Sequence, residues 1–202
     1  VYEVPTKHGD AYTHDVQCVV YNGPDARYLG REICISSNED TVNIVDVTDK
    51  NKPVQISVAS YDGVKYTHQG WLTEDHKYFL LGDELDEQKL GVNTKTFIWD
   101  FTDLTNPKNF AVYTHNSKAI DHNMYIRGNY VYQANYNAGL RILSLKDIAK
   151  GKLSEIGFLD PLPKVDSAVF EGVWSVFPYY RSGTVAISGI DGVLYLTKPK
   201  LP

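Results

Sequence analysis

The stretch Tyr66-Thr67-His68-Gln69-Gly70-Trp71 decides the fold, because shorter copies of it recur at a constant spacing on both sides. Tyr12-Thr13-His14-Asp15 lies before it and Ile120-Asp121-His122-Asn123 lies after it, so that successive histidines are 54 residues apart. A degenerate fourth copy, Gly172-Val173-Trp174-Ser175, has Trp174 in the histidine position 52 residues further on. A period of this length predicts structural units that stack side by side, each unable to bury a core alone.

Each copy opens a run of short apolar segments that have the length of strands and are separated by turn residues. In the first unit, strands are predicted at residues 15–21, 31–36, 41–47 and 54–60. Fifteen Tyr and fifteen Gly against a single Met favour strands and tight turns over helices. Four-stranded antiparallel units that repeat radially are β-propeller blades. The sequence therefore predicts an all-β β-propeller with four blade-like repeats of about 54 residues.

The whole chain, residues 1–202, is predicted to form a single propeller domain. Its predicted parts are an outer strand at residues 1–8 and blades at about 12–60, 66–115, 119–160 and 170–198. The fourth blade has only three predicted strands, whereas the predicted strand at residues 1–8 belongs to none of the four repeats. The N-terminal strand can therefore complete the last blade and close a four-bladed ring. The alternative is a segment of a larger propeller that another chain, or a missing N-terminal half, completes.

The charge and the apolar content of the sequence argue against nucleic acid and against a membrane span. The 20 basic residues are scattered among 25 acidic ones and the net charge is −5, so no basic stripe is present to bind a phosphate backbone, and nucleic acid is excluded as a partner. No apolar run approaches the ~20 residues of a membrane span. Residue 1 opens directly on a predicted strand without a signal-peptide pattern, so we expect either that a leader was removed or that the sequence begins after it.

Cys18 and Cys34 lie in two successive predicted strands of the first unit. Neighbouring strands make a disulfide bond between them geometrically possible, although the sequence does not give the direction of either side chain. Two buried free thiols that pack as small apolar groups are the alternative. Both interpretations stay open at this point.

The repeated histidines define the candidate functional site. In a propeller blade the innermost strand begins, and the second strand ends, at the same face near the central axis. His14, His68 and His122, with Trp174 in the fourth place, are therefore predicted to surround one mouth of the channel. The residues expected beside them end the second strands or follow the histidines: Asn38, Glu39, Asp83, Glu84, Asn135 and Tyr136, with Asp15, Gln69 and Asn123.

Three converging imidazoles with carboxylates nearby are typical ligands of a divalent or transition metal ion. Cu, Zn, Mn or Fe is favoured over Ca²⁺, which prefers a cage of oxygen ligands. The competing interpretation is structural, because an equivalent histidine in each blade can hydrogen bond the backbone of the next blade and be copied by duplication. The leading function is thus a metal-binding protein.

Two other functions remain open from the sequence. A metal-dependent oxygenase or hydrolase would use the same site, with Glu39 or Glu84 as a base. A metal-free structural or adhesion scaffold would use its outer faces to hold partners. Nucleophilic catalysis has no candidate, because the sequence lacks a G-x-S-x-G elbow, a Gly-rich phosphate loop and a C-x-x-C pair.

Several other charged residues fall outside this pattern. The acidic run at residues 83–87 is predicted to be a solvated loop, since it lacks the spacing and the glycine of an EF-hand calcium loop. His8, His76 and His115 lie outside the repeat register and are predicted in turns or at the surface.

Longer motifs are similar to the C-terminal half of the secreted choice-of-anchor B family, whose propeller repeats are of the LVIVD type. They are residues 12–19 (YTHDVQCV), 30–34 (GREIC), 37–41 (SNEDT), 44–49 (IVDVTD), 66–75 (YTHQGWLTED) and 119–123 (AIDHN). The resemblance spans nearly the whole chain and implies an extracellular, periplasmic or cell-surface propeller. Members of that family are longer and carry further repeats upstream, which favours the segment of a larger propeller. Because their activity is poorly defined, the resemblance supplies no catalytic residues.

Overall fold

The computed structural model describes residues 12–202, so the predicted outer strand at residues 1–8 lies outside the described part of the chain. The described residues form four antiparallel sheets in chain order, each a simple meander. Sheet 1 contains β1 (Asp15–Val20), β2 (Glu32–Ser37), β3 (Val42–Asp46) and β4 (Val54–Ala59). Sheet 2 contains β5 (Thr67–Leu72), β6 (Tyr78–Asp83), β7 (Lys95–Asp100) and β8 (Lys108–Thr114). Sheet 3 contains β9 (Met124–Arg127), β10 (Tyr130–Asn135), β11 (Gly139–Ser144) and β12 (Ser154–Leu159). Sheet 4 contains β13 (Val173–Phe177), β14 (Val185–Gly189) and β15 (Leu194–Thr197). The prediction of an all-β chain with four blade-like units is therefore confirmed.

The sheets repeat in detail as well as in outline. In sheets 1, 2 and 3 the pairing of the third strand with the outer strand shifts register at the same place, between Ile44 and Val45, Ile98 and Trp99, and Ile142 and Leu143. Such an irregularity bends a strand and increases its twist. A shared irregularity of this kind is what copies of one ancestral unit would retain.

The core lies between successive sheets, because each inner sheet has two buried faces. Side chains alternate across a strand, so Phe79 and Leu81 of β6 pack towards sheet 1, while Leu80 packs towards sheet 3. A third apolar cluster, which includes Ile142 and Ile187, joins sheets 3 and 4. The sheets therefore stack face to face in chain order, as blades do in a propeller.

Short helical turns lie in the connections. One 3₁₀ turn, Ile148–Lys150, lies between β11 and β12, and another, Ala26–Tyr28, lies between β1 and β2. The helix α1 (Asp86–Leu90) ends at Gly91, whose left-handed φ of 67° places its N–H on the Glu87 carbonyl. No helix among residues 12–202 is long and apolar enough to cross a lipid bilayer.

Two predictions about charged residues are wrong. The acidic run at residues 83–87 is no solvated loop: Asp83, Asp86 and Glu87 are buried, because α1 lies over the interior instead of projecting into solvent. His115 is also buried. Burial is tolerated because its backbone N–H donates to the Thr94 carbonyl and its Nε2 lies 3.2 Å from the Thr96 hydroxyl. His8 lies outside the described residues.

Cys18 and Cys34 form a disulfide bond. They are direct cross-strand partners in the pairing of β1 with β2, so their side chains project from the same face of sheet 1. The bond joins the innermost strand to its neighbour close to the first copy of the repeated motif.

Candidate metal centre

The four repeated residues meet at the starts of the innermost strands. His14 directly precedes β1, His68 is the second residue of β5, His122 lies two residues before β9, and Trp174 is the second residue of β13. Their rings form a continuous row, with centroids 4.4 Å apart from His14 to His68, 4.4 Å from His68 to His122, and 4.3 Å from His122 to Trp174. The sequence period thus brings the predicted residues to one place.

Glu84, which directly follows β6, lies between the two central histidines. Its carboxylate oxygens are 3.7 Å from His68 Nε2 and 3.5 Å from His122 Nε2, and the three ligand atoms all lie within 4.8 Å of one another. Ligands held ~2.0–2.1 Å from a tetrahedral zinc ion are roughly 3.4 Å apart. The separations in this group are therefore close to those of a metal-ligand set.

The two imidazoles are held differently. His122 Nδ1–H donates to the Trp174 carbonyl, 2.5 Å away, so His122 Nε2 carries the lone pair that faces Glu84. Metal-binding histidines characteristically fix their tautomer through such a bond. His68 Nδ1, by contrast, is buried without a hydrogen-bond partner in the described chain, and its Nε2 is too far from Glu84 for a good hydrogen bond.

Burial sets the charge of the centre. It lowers the pKa of His68 to about 2, with a further contribution from His122 and His14, and it lowers the pKa of His122 to about 4. Burial also raises the pKa of Glu84, against the hydrogen bond from Tyr136. Both imidazoles are therefore neutral at neutral pH, and their contacts with Glu84 are not salt bridges. Neutral imidazole is the form that binds metals.

Two tyrosines support the centre. The Tyr136 hydroxyl donates to Glu84 Oε1 at 3.0 Å, and the Tyr66 hydroxyl lies 3.1 Å from His14 Nδ1. Tyr136 and Glu39 occupy the position of Glu84 in their own sheets, and both have left-handed backbones, with φ of 29° and 66°. Such strain in residues other than glycine concentrates at functional sites.

The remaining predicted residues fall into different roles. Asp83 accepts hydrogen bonds from the Tyr61 hydroxyl and from the backbone N–H groups of residues 65 and 66, so it holds the loop before β5. Gln69 donates to the Met124 carbonyl and accepts from the Met124 N–H, which braces β5 against β9. These two side chains are engaged by backbone and polar groups outside the centre.

Others lie closer to the histidines. His14 packs on His68 but is not one of the three residues whose ligand atoms converge. The Asn123 side chain hydrogen bonds His122, and Asp15 is half-buried beside His14. The backbone N–H of Glu39 donates a hydrogen bond to the Thr67 carbonyl. Asn135 is buried and its amide has no partner in the described chain.

Sequence reasoning gave no role to three residues that the structure brings forward. Tyr136 was expected only near the mouth, yet it orients Glu84. Asp121 stands inside the repeated motif, where the other copies have Thr13 and Thr67, and that break in the pattern was the available signal. Asp86 of the acidic run is buried close to it.

Comparison with known proteins supports the fold alone. No family model matches the chain, and no curated protein matches it. Among solved structures, the β-propeller domain of Cps50 (Swd1) from Myceliophteria thermophila is similar at a TM-score of 0.63 and 13% identity, over 98% of this chain and 54% of that one. The periplasmic gluconolactonase PpgL of Pseudomonas aeruginosa is similar at 0.59 and 15%, over 87% and 52%. The computationally designed Ika4 protein is similar at 0.53 and 10%, over 82% and 84%. The chain has a β-propeller fold. It spans about half the length of the two natural proteins.

Proposed function

We propose that this protein is an exported or cell-surface β-propeller that binds a transition-metal ion at one mouth of its channel. His68, Glu84 and His122 are the ligands, and His14 packs against His68 beside them. The observation that carries the proposal is the convergence of three ligand atoms within 4.8 Å of one another. The motif resemblance to the choice-of-anchor B family supports export, and a periplasmic protein among the similar structures is compatible with it.

The ligand set favours Cu, Zn, Mn or Fe over Ca²⁺. Two neutral imidazoles and one carboxylate suit borderline transition metals, whereas Ca²⁺ prefers oxygen alone. The Trp174 carbonyl orients His122, and the Tyr136 hydroxyl orients Glu84. These outer contacts are the kind that hold metal ligands in place.

A purely structural role for the histidines accounts for His122 but not for His68. His122 does brace its neighbour, because it hydrogen bonds the backbone of β13. His68 makes no such bond within the described chain, and a buried imidazole without partners costs about 1–3 kcal/mol. A metal ion on His68 Nε2 would give that nitrogen the partner that Glu84, 3.7 Å away, does not provide, and it would leave the proton on Nδ1.

Thermal melting with a transition-metal chelator such as 1,10-phenanthroline, in excess Ca²⁺, tests the proposal. We expect chelation to lower the Tm of the wild-type protein by roughly 5–10 °C, as removal of a ligand at a hundredfold excess over its Kd would. The double variant His68→Ala/His122→Ala should melt at one temperature with and without chelator. His76→Ala, a turn histidine, is the matched control. A wild-type protein indifferent to chelator contradicts metal binding and leaves the metal-free scaffold.

Catalysis is the second candidate function, favoured by the small number of converging ligands. Three protein ligands leave coordination positions for water or substrate, as in catalytic zinc sites and in non-haem iron oxygenases. Glu39 is the nearby carboxylate that would act as a base. Titration of azide into Co²⁺-loaded protein tests this: a change in the visible spectrum indicates an open position, and an unchanged spectrum contradicts it.

We further propose that a second copy of this chain completes the propeller. Cross-strand partners Phe177, Ala186 and Leu196 form a row on the face of sheet 4 that points away from sheet 3, with Leu194 beside them. Leu194 and Leu196 are 63% and 66% exposed. On sheet 1, Val16 and Val20 are exposed on the face that points away from sheet 2. Two copies related by a twofold axis would cover both faces of each chain and close a ring.

A further inference from the structure

A second cluster of metal-ligating groups lies outside the histidine centre. Asp86 and Glu87 open α1, and Asp121 precedes the third copy of the repeated histidine. Their carboxylate oxygens lie within 4.8 Å of one another. The three side chains come from two different sheet connections, so the fold brings them together and the acidic run does not form the cluster alone.

Burial distinguishes this cluster from the usual exposed acidic patch. Asp86, Glu87 and Asp121 are only 1%, 2% and 1% exposed. Asp121 projects into the acidic run from another blade and is fully buried, and apart from the neighbouring Glu87 carboxyl neither of its oxygens has a hydrogen-bond partner in the described chain. Native proteins very seldom leave a buried carboxylate in that state.

The protein supplies too few cations for these carboxylates. Lys95 Nζ lies 3.0 Å from Asp86 Oδ2, and it is the one cation that pairs with the cluster within residues 12–202. The other five oxygens receive no hydrogen bond in good geometry from outside the cluster. The Glu87 carboxyl lies close to those of Asp86 and Asp121, and the N–H groups of Glu87 and Asp121 lie near it. Three carboxylates and one ammonium carry a net charge of −2. Asp83 and Glu84 add negative charge nearby.

Buried charge of this size requires neutralisation by protons or by a cation. Burial and the neighbouring carboxylates raise the pKa of Glu87 and that of Asp121 well above the usual range of a carboxyl group. These shifts describe the cluster without a cation. A divalent ion would balance the charge of −2 and would give partners to the five unpaired oxygens.

The ligand chemistry suits a large hard cation. Carboxylate oxygens bind Ca²⁺ at ~2.3–2.6 Å in a flexible geometry, whereas Mg²⁺ demands near-ideal octahedral geometry and usually keeps several waters, which a buried cluster does not favour. Gly82 leaves room for the cluster, because a Cβ at that position would lie 1.8 Å from Asp121 Oδ2. We propose that Asp86, Glu87 and Asp121 form a buried Ca²⁺ site between α1 and the start of the third blade.

Calorimetric titration of CaCl₂ into the EDTA-treated, desalted chain at pH 7.5 tests the site. We expect about one equivalent of Ca²⁺ to bind the wild-type protein, and binding to weaken at least 100-fold in Glu87→Gln/Asp121→Asn, which keeps the side-chain shapes. Asp191→Asn, an exposed acidic residue, should bind as the wild type does. His68→Ala/His122→Ala should also retain Ca²⁺, so the two metal proposals can fail separately.

Melting in EDTA guards against a variant that is merely unfolded. The neutral side chains of Glu87→Gln/Asp121→Asn remove buried charge, so this variant should melt in EDTA no lower than the wild-type protein does. Saturating Ca²⁺ should raise the wild-type Tm by roughly 5–10 °C and leave that of the variant unchanged. A wild-type chain that binds no Ca²⁺ up to millimolar concentration overturns the proposal and indicates carboxyls neutralised by protons. Full binding by the variant overturns it as well.

Discussion

Glu84 is the residue on which the centre depends, because it faces both central imidazoles. Its carboxylate oxygens lie 3.7 Å from His68 Nε2 and 3.5 Å from His122 Nε2, and the Tyr136 hydroxyl donates a hydrogen bond that fixes the orientation of the carboxylate. A carboxylate without that donor would be free to turn away from the histidines. The arrangement of the centre therefore also depends on Tyr136, which is not one of the three converging residues.

Tyr136→Phe removes only that donor. We expect the affinity for the transition metal to fall 10- to 100-fold, as loss of an orienting partner does, while the fold is unchanged. Competition with a chromophoric chelator measures the change, and Tyr180→Phe, at an exposed position, is the control. Equal affinity in Tyr136→Phe and in the wild-type protein would show that Glu84 needs no help from Tyr136.

His115 is a residue at which burial couples stability to pH. Burial, and secondarily the charge of Arg141, lower its pKa to about 4, whereas the unfolded chain has a histidine pKa of ~6.5. Between those values the unfolded state binds the extra proton, so the free energy of unfolding falls as the pH drops, by roughly 3 kcal/mol at pH 4. His115→Gln should lose this part of the pH dependence in urea unfolding between pH 7 and pH 4. Parallel profiles for the variant and the wild-type protein would contradict the assignment.

At the scale of the element, close approach of neighbouring strands explains a glycine in the second copy of the repeat. A Cβ at Gly70 in β5 would lie 2.3 Å from the Phe79 ring and 2.6 Å from the Leu80 carbonyl oxygen. Gly70→Ala should therefore destabilise the protein by about 1–3 kcal/mol through overpacking, as measured by urea unfolding. Gly157→Ala in β12 is the matched control, because its nearest neighbour would be 4.0 Å away. A Gly70→Ala variant as stable as that control would contradict the close approach.

The elements also show why sequence reasoning succeeds for strands and fails for the acidic cluster. A strand is specified locally, by alternation and turn residues, and the 54-residue period adds the stacking of the sheets. Asp86 and Glu87 are buried beside Asp121, which is more than thirty residues away in the sequence, and the local density of acidic residues could not predict that contact. The pairing of Cys18 with Cys34 required the strand register, which places both side chains on one face.

For the candidate site, the repeat predicts which histidines meet but not their chemical state. The ring row from His14 to Trp174 follows from the period, since equivalent residues of stacked blades lie side by side. Glu84 faces His68 and His122, whereas its neighbour Asp83 does not. Which of the two carboxylates faces the histidines depends on a single residue of strand register at the end of β6. Sequence spacing cannot resolve a difference of that size.

At the scale of the whole molecule, the exposed face of sheet 4 predicts self-association. We expect the chain to sediment at about twice its 22.8 kDa mass, because burial of Phe177, Leu194 and Leu196 against a second copy removes apolar surface from water. Leu194→Lys/Leu196→Lys should sediment as a monomer with an unchanged circular dichroism spectrum, whereas Val112→Lys on β8 should not. A wild-type chain that sediments as a monomer at micromolar concentration would contradict the completed ring.

The central claim is that His68, Glu84 and His122 hold a transition-metal ion, and metal analysis of the purified protein tests it most directly. The chain is expressed in medium that contains Zn, Cu, Mn and Fe, purified without chelator, and measured by inductively coupled plasma mass spectrometry beside His68→Ala/His122→Ala. We predict about one transition-metal ion per wild-type chain and its loss in the double variant, with Ca²⁺ content the same in both. Equal, substoichiometric transition-metal content in the two proteins would contradict the claim.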